Sequence, residues 1–213
     1  MKLLDLYCCQ GGASAGYKAA GFDSVIGVDI APQPRYPYKF WQRDALMFLE
    51  RYGKFFDAIH ASPPCQAYTN AQRIQGNEHP DLVEPTRELL VASGKPWVME
   101  NVPGSPLRED LLLCGAMFGI ETYRHRVFEI GGFDPPSPPE HPPHKARVTK
   151  MGRAPVDGEY MHIVGNFSGV AKARQIMGMP WASRDGLREA IPPAYTEFIG
   201  RQLLAHLKKD EAA

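Results

Sequence analysis

Apolar residues fall in short blocks along this chain, and the blocks alternate between two textures. Residues 2–7 (KLLDLY), 24–30 (SVIGVDI), 55–61 (FFDAIHA), 95–102 (KPWVMENV) and 126–130 (RVFEI) are brief and apolar, several of them β-branched or aromatic, which predicts buried strands. Between them, residues 13–20 are small and helix-compatible up to Gly21, and residues 46–51 read as a helix. Residues 81–93 set Leu82, Leu89 and Leu90 at helical spacing ahead of Gly94. Residues 111–118 are apolar and read as a further helix, as do 171–179 and 194–207. Strands alternating with helices predict an α/β fold: a mostly parallel sheet with helices on both faces and right-handed crossovers.

The pattern breaks after residue 130. Residues 134–144 (DPPSPPEHPPH) hold six prolines, too many for a helix or a central strand, and predict an exposed, semi-rigid linker. Residues 141–153 then carry Lys145, Arg147, Lys150 and Arg153 and no acid. The chain is therefore expected to divide into a 1–130 core, a 131–170 insert, and a 171–213 segment that returns to the core.

Composition narrows the class. A chain of 213 residues can bury one substantial core, and 44% hydrophobic with 23% charged residues is a globular balance. Twenty-four basic residues balance 24 acidic ones, so nucleic acid would have to be held by a local patch rather than by overall charge. No apolar run reaches the ~18–20 residues that span a bilayer. Asp5 interrupts the first apolar run too early for a signal peptide, so a soluble cytoplasmic protein is expected. Four cysteines (Cys8, Cys9, Cys65 and Cys114) form no C-x-x-C pair, so reduced, mostly buried thiols are expected and no metal.

Candidate chemistry gathers at the strand ends. Gly11-Gly12 follows the first strand and Asp29 ends the second. Such glycines let the backbone approach a ligand, and such an acid accepts hydrogen bonds from ribose hydroxyls. There is no complete G-x-G-x-x-G, so an adenosyl cofactor without phosphate fits better than a dinucleotide; a plain tight turn would also explain the glycines. Ser62-Pro63-Pro64-Cys65-Gln66 sets a cysteine just past the third strand, at the edge where open α/β sheets bind ligands; simple burial beside the prolines is the other reading. Glu100 brings a carboxylate to the same edge, where burial without a role is costly. Arg124-His125-Arg126 introduces the following strand, to grip an anion or a polar base edge or as a surface basic cluster.

In this order, these segments resemble the cytosine-5 DNA methyltransferase family. DLYCCQGGASAGYKAAGF (residues 5–22) is similar to the family's opening cofactor motif, and GVDI and RDAL to its ribose and adenine contacts. SPPCQAYT is similar to the nucleophile loop, MENVPG to the Glu-Asn-Val motif, YRHRVFEI to the Arg-x-Arg motif, and KARQIMGMPW and IPPAYTEFIGRQLL to the closing pair. Cys9 stands where the family has the first glycine of its cofactor loop, Tyr7 where it has Phe, and Thr122 where it has Gln. The family's closing Gly-Asn-Ser is replaced around Leu187-Arg188-Glu189, and the target-recognition region is only about residues 131–170.

The resemblance implies a Rossmann-like S-adenosylmethionine-dependent methyltransferase fold. It implies that Tyr7, Gly11, Gly12 and Asp29 hold the cofactor together with Ile30, Asp44, Ala45 and Pro64, and that S-adenosylhomocysteine is the product. Cys65 would attack C6 of a cytosine flipped out of the duplex, Glu100 would engage N3, and Arg126, with Arg124 behind it, would hold O2. Double-stranded DNA would be met by Gln66, Arg73, Lys145, Arg147, Lys150 and Arg153, by a monomer reading a very short site; a solvated Lys145–Arg153 loop with a partner supplying recognition is the other reading. The compact build suggests a phage or mobile-element enzyme, with or without a restriction partner. Three alternatives stay open: the same chemistry on transfer RNA, a catalytically silent DNA-binding relative, and a free-nucleotide methyltransferase. Cys65, Glu100 and the Arg pair are all present, which speaks against a silent relative.

Overall fold

A computed structural model describes residues 1–64, 81–150 and 152–211. Among these, seven strands form one sheet in the order β3-β2-β1-β4-β5-β7-β6. They are β1 (Lys2–Leu6), β2 (Ser24–Asp29), β3 (Lys39–Gln42), β4 (Ala58–Ala61), β5 (Trp97–Asn101), β6 (Leu111–Leu113) and β7 (Arg126–Gly131). The run from β3 to β5 is parallel; β7 pairs antiparallel with both β5 and β6. The helices are α1 (Gly12–Ala20), α2 (Ala45–Tyr52), α3 (Val83–Ala92), α4 (Val170–Met177), α5 (Arg184–Glu189) and α6 (Pro193–Glu211). The mostly parallel α/β sheet expected from the sequence is the one observed.

Alternation along β1 explains why both faces are covered. Leu3 joins a core with Tyr17 of α1 and Ile199 of α6, while Leu4 and Leu6 join a second core with Leu49 of α2 and Leu90 of α3. The small residues of α1 have a packing cause. A methyl group on Gly16 would lie 2.1 Å from the Pro193 carbonyl oxygen and from Thr196 Oγ1, so α1 and α6 pack backbone to backbone. Thr196 Oγ1 completes the contact by donating to the Ala13 carbonyl at 2.9 Å. At the far side of the sheet, the Arg87 guanidinium of α3 forks onto buried Glu129 of β7 at 2.9 and 2.8 Å.

Some expectations need correction. Residues 111–118 are not a helix: Leu111–Leu113 is a strand and Gly115–Phe118 a 3-10 turn. Leu111 and Leu113 are buried and Leu112 faces out, a period of two that a short all-apolar run conceals. β3 went unforeseen because it is a mostly exposed edge strand, and α5 because it has only six residues.

Residues 134–144 contain no helix or strand, as the prolines predict. Farther along, Met161, Ile163 and Phe167 pack with Ala173, Met177 and Leu187 in a third apolar cluster. Among the described residues, no helix is long and apolar enough to cross a membrane.

Candidate active site

The turn after β1 has an unusual backbone. Tyr7 (φ 58°) and Cys9 (φ 44°) lie in the left-handed region, as does Gly11 (φ 81°). Non-glycine residues seldom adopt it. Cys9, which stands in place of the family's glycine, thus occupies a conformation that favours glycine. Tyr7 is anchored by its hydroxyl, 2.9 Å from Thr86 Oγ1 of α3. The Cys9 thiol donates to the Glu189 carboxylate at 3.4 Å, so two departures from the family pattern touch each other. Burial, reinforced by Glu189, pushes the Cys9 thiol up to about 12. The Gln10 side chain receives Ser183 N at 2.8 Å and donates to Ser183 Oγ at 2.9 Å, docking the approach to α5 onto this turn.

Across the turn, Asp29 is held by backbone N–H groups: Cys9 N donates to Oδ2 at 3.0 Å and Ala31 N to Oδ1 at 2.9 Å. The next residue, Ile30, is 72% exposed. Asp44 caps α2 by accepting from Met47 N at 2.9 Å, with Ala45 buried behind it. A cavity of about 530 Å³ opens beside Asp44, lined by Trp41, Met47, Phe48, Tyr52 and Phe55. A fixed acceptor carboxylate next to a bare aliphatic surface fits a nucleoside: hydroxyls for the acid, a flat base for the isoleucine.

Beneath the turn lies a closed polar cluster. Asp5 accepts from the Ser14 hydroxyl, whose oxygen is 2.6 Å from the Tyr36 hydroxyl, and Asp5 Oδ1 is buried without a partner. Burial pushes Asp5 up to about 7, with the Ser14 bonds opposing. Tyr36 can approach because Gly27 makes room; a Cβ there would lie 2.3 Å from its ring.

The other half of the edge carries a connected chain of hydrogen bonds. The Tyr17 hydroxyl is 3.0 Å from His60 Nδ1, and His60 Nε2 is 2.9 Å from Ser62 Oγ. Ser62 hydrogen-bonds Glu100, and Glu100 Oε1 meets Arg126 Nε at 2.8 Å. Burial holds His60 down to about 3, so the ring is neutral and has one proton to place. A consistent direction follows: Tyr17 donates to Nδ1, Nε2–H donates to Ser62, and Ser62 donates to the carboxylate. Burial raises the Glu100 carboxyl, while Arg126, Arg124 and Ser62 pull it down. Asn101 Nδ2 donates to the Pro63 carbonyl at 3.0 Å, fixing the β4 exit that leads to Pro64.

Arg124 is placed differently from Arg126. Its guanidinium donates to the carbonyls of Ala190 (2.8 Å), Ile163 (2.8 Å) and Arg188 (2.6 Å), and its own carbonyl accepts from Tyr195 Oη at 2.8 Å. It ties the strand carrying Arg126 to the end of α5. Lys145, Arg147 and Lys150 are exposed, whereas Arg153 forks onto Glu159 at 2.7 Å. Cys65, Gln66 and Arg73 lie outside the described residues. Sequence reasoning missed His60, Ser62 and Tyr17; His60 inside an otherwise apolar strand was the signal that could have found the chain of bonds.

No family model matches the chain. It is similar to type II methyltransferases: M.HgiDI of Herpetosiphon aurantiacus is 27% identical over 161 residues, covering 62% of this chain and 52% of that protein. M.FnuDI of Fusobacterium nucleatum is 24% identical over 160 residues, covering 62% and 46%. The chain spans about half the length of these two relatives. M.HgiGI, also of H. aurantiacus, is 29% identical over 116 residues, 48% of this chain and 90% of that protein. Among solved structures, a protein described as a DNA modification methyltransferase encoded within an E. coli prophage superposes with a TM-score of 0.69. The match covers 98% of this chain and 99% of that one at 15% identity. Dnmt2 methyltransferase of S. pombe gives a TM-score of 0.66 at 13% identity, covering 97% and 99%. These two likenesses show a shared fold.

Proposed function

We propose that this chain, cytosine methyltransferase-like in sequence motifs and in fold, is a DNA (cytosine-5-)-methyltransferase that acts on a base flipped out of a short site. The observation that carries this reading is the ion pair of buried Glu100 with half-buried Arg126. It offers an acid and a guanidinium side by side at the sheet edge, the pair that the N3 and O2 of a cytosine require. Asn101 fixes Pro63 next to it, two residues before Cys65 in the chain.

The roles follow from the chemistry. Cytosine C5 is a weak nucleophile, so Cys65 as thiolate adds to C6, forming an S–C6 bond and leaving C5 electron-rich. Glu100, whose burial makes it easier to protonate, donates to N3 and draws off the charge that enters the ring. Arg126 holds O2 and stabilises the same charge, and Arg124 positions Arg126 through the backbone between them. S-adenosylmethionine, when bound, supplies the methyl group and departs as S-adenosylhomocysteine. Asp29 would hold its ribose and Ile30 its adenine face, with Gly11 and Gly12 giving the backbone close approach, and Tyr7, Asp44, Ala45 and Pro64 would complete that side. Loss of the C5 proton to water then re-forms the C5–C6 double bond, breaks the S–C6 bond and releases Cys65 as thiolate. Extrusion of the base costs a few kcal/mol. Gln66 and Arg73 would meet the strand near the opening, and exposed Lys145, Arg147 and Lys150 would contact phosphates; Arg153 would join them only by leaving Glu159.

Bisulfite sequencing of DNA from cells expressing the chain tests activity and site together. Methylated cytosines in one recurring short context are expected. Labelled methyl transfer to transfer RNA, with duplex DNA inert, would overturn the DNA reading in favour of RNA.

A further inference from the structure

Four side chains with metal-ligating atoms meet just beyond β6. Cys114 Sγ and one ring nitrogen each from His125, His141 and His144 all lie within 4.8 Å of one another. Cys114 Sγ is 3.4 Å from His144 Nε2, and His125 Nε2 is 3.2 Å from His141 Nε2. Tetrahedral zinc, with Zn–S about 2.3 Å and Zn–N about 2.0–2.1 Å, sets S···N edges of about 3.6 Å and N···N edges of about 3.3 Å. The two measured separations sit close to those edges. Hydrogen bonds could hold either pair separately, but neither bond requires the second pair to converge on the first. A central ion requires it of all four.

The ligand set also suits zinc: one thiolate and three imidazoles supply four protein ligands and leave no open coordination position, as in structural rather than catalytic centres. Cys114 is fully buried and directly follows β6, and His125 lies between Arg124 and Arg126 at the start of β7. His141 and His144 come from the proline-rich stretch, whose neighbouring backbone makes one isolated bridge, Val148 to Tyr160. Tyr123 supports the junction: its ring stacks on His144 at 3.6 Å, and its hydroxyl accepts from Ala146 N at 2.9 Å.

We propose that Cys114, His125, His141 and His144 bind one Zn²⁺ that fastens the proline-rich segment to the β6–β7 corner. The Cys114 thiol releases its proton to solvent on binding, and the three histidines coordinate as neutral rings. The ion thereby fixes the backbone on both sides of His125, including that of Arg126, and holds the segment that continues into Lys145, Arg147 and Lys150.

Elemental analysis of untagged protein purified without chelator should find about one zinc per chain. Replacement by Co²⁺ should give tetrahedral ligand-field bands and a thiolate-to-cobalt charge-transfer band, and Cys114→Ser should abolish the latter. His141 and His144 are exposed, so His141→Ala and His144→Ala should leave the fold intact while weakening Zn²⁺ binding at least about 100-fold, since even outer-shell changes cost 10–100-fold. Chelation should speed proteolysis within residues 134–150 in the wild type. Protein that neither retains zinc nor takes it up on titration would overturn the proposal, as would equal zinc binding by the wild type and the double variant. None of these readouts depends on methyl transfer, so they stand apart from the functional reading above.

Discussion

Two buried polar clusters lie side by side under one face of the sheet, and they are built on opposite plans. Asp5 of β1 and His60 of β4 are partners in register, exposed by only 1% and 0%. Asp5 accepts from the Ser14 hydroxyl and backbone N–H and keeps one oxygen unpaired. His60 has both ring nitrogens bonded and hands its hydrogen bond through Ser62 to Glu100 and Arg126 at the edge. A buried carboxyl with neutral partners is driven toward its protonated form, whereas one beside a guanidinium keeps access to both forms. The side of the edge proposed for the cofactor is thus shaped by backbone over a closed cluster whose carboxyl resists ionisation. The side proposed for the base carries a charged pair whose carboxyl can take either form.

The largest effect expected from this division is at Glu100. Glu100→Ala should slow methyl transfer about 10²–10⁴-fold at saturating cofactor, the range of general acid–base contributions. Calorimetric titration should find cofactor affinity unchanged; parallel losses in both would erase the division.

The pH dependence of stability separates the clusters next. Asp5, near 7 in the fold and near 3.8 ordinarily, retains a proton that the unfolded chain has lost, so its contribution falls as pH rises from about 4 to 7. His60, near 3 in the fold against 6.5, fails to take up a proton that the unfolded chain binds, so its contribution falls as pH drops from about 6.5 to 3. The two oppose over their shared window. Asp5→Asn should expose the histidine's slope, gaining stability with rising pH, and His60→Gln should expose the opposite slope. Each difference should be on the order of a few kcal/mol, at ~1.4 kcal/mol per pH unit. Urea melts at several pH values would read this, and identical slopes in the two variants would contradict it.

Asp29→Ala belongs to the cofactor side alone. Losing a charge-assisted hydrogen bond costs ~1.5–3 kcal/mol, so cofactor Kd should rise roughly tenfold or more with turnover at saturation kept. An unchanged Kd would show that the ribose is held elsewhere. The smallest effect concerns Cys9, where Cys9→Gly should relieve left-handed strain and raise stability by up to about 1 kcal/mol. A lower urea midpoint would mean that the Glu189 contact outweighs the strain.

How much of this was legible in the sequence depended on locality. Strands β1, β2, β4, β5 and β7 could be read because each is a short apolar run, whereas the small residues of α1 read only as helix-compatible and did not reveal the close packing of α6. The left-handed turn at Cys9 could be anticipated only as a departure from a glycine. β6 could not be told from a helix, since three leucines carry no polar residue to reveal a period. The Asp5–Ser14–Tyr36 cluster needs a tyrosine brought in from the loop after β2, and no local pattern encodes that. The Cys114–His144 group escaped for a related reason: its ligands spread over 30 residues of chain with no C-x-x-C pair.

In the proposed reaction Cys65 forms a bond to a cytosine held by Glu100 and Arg126. Duplex DNA carrying 5-fluorocytosine in the site found by bisulfite sequencing, incubated with the protein and S-adenosylmethionine, tests it most directly, because fluorine cannot leave C5 as a proton does. A denaturing gel should show a covalent protein–DNA band with the wild type and none with Cys65→Ala. Methylation of ordinary DNA with no band on the fluorinated duplex, or a band that survives Cys65→Ala, would contradict the account.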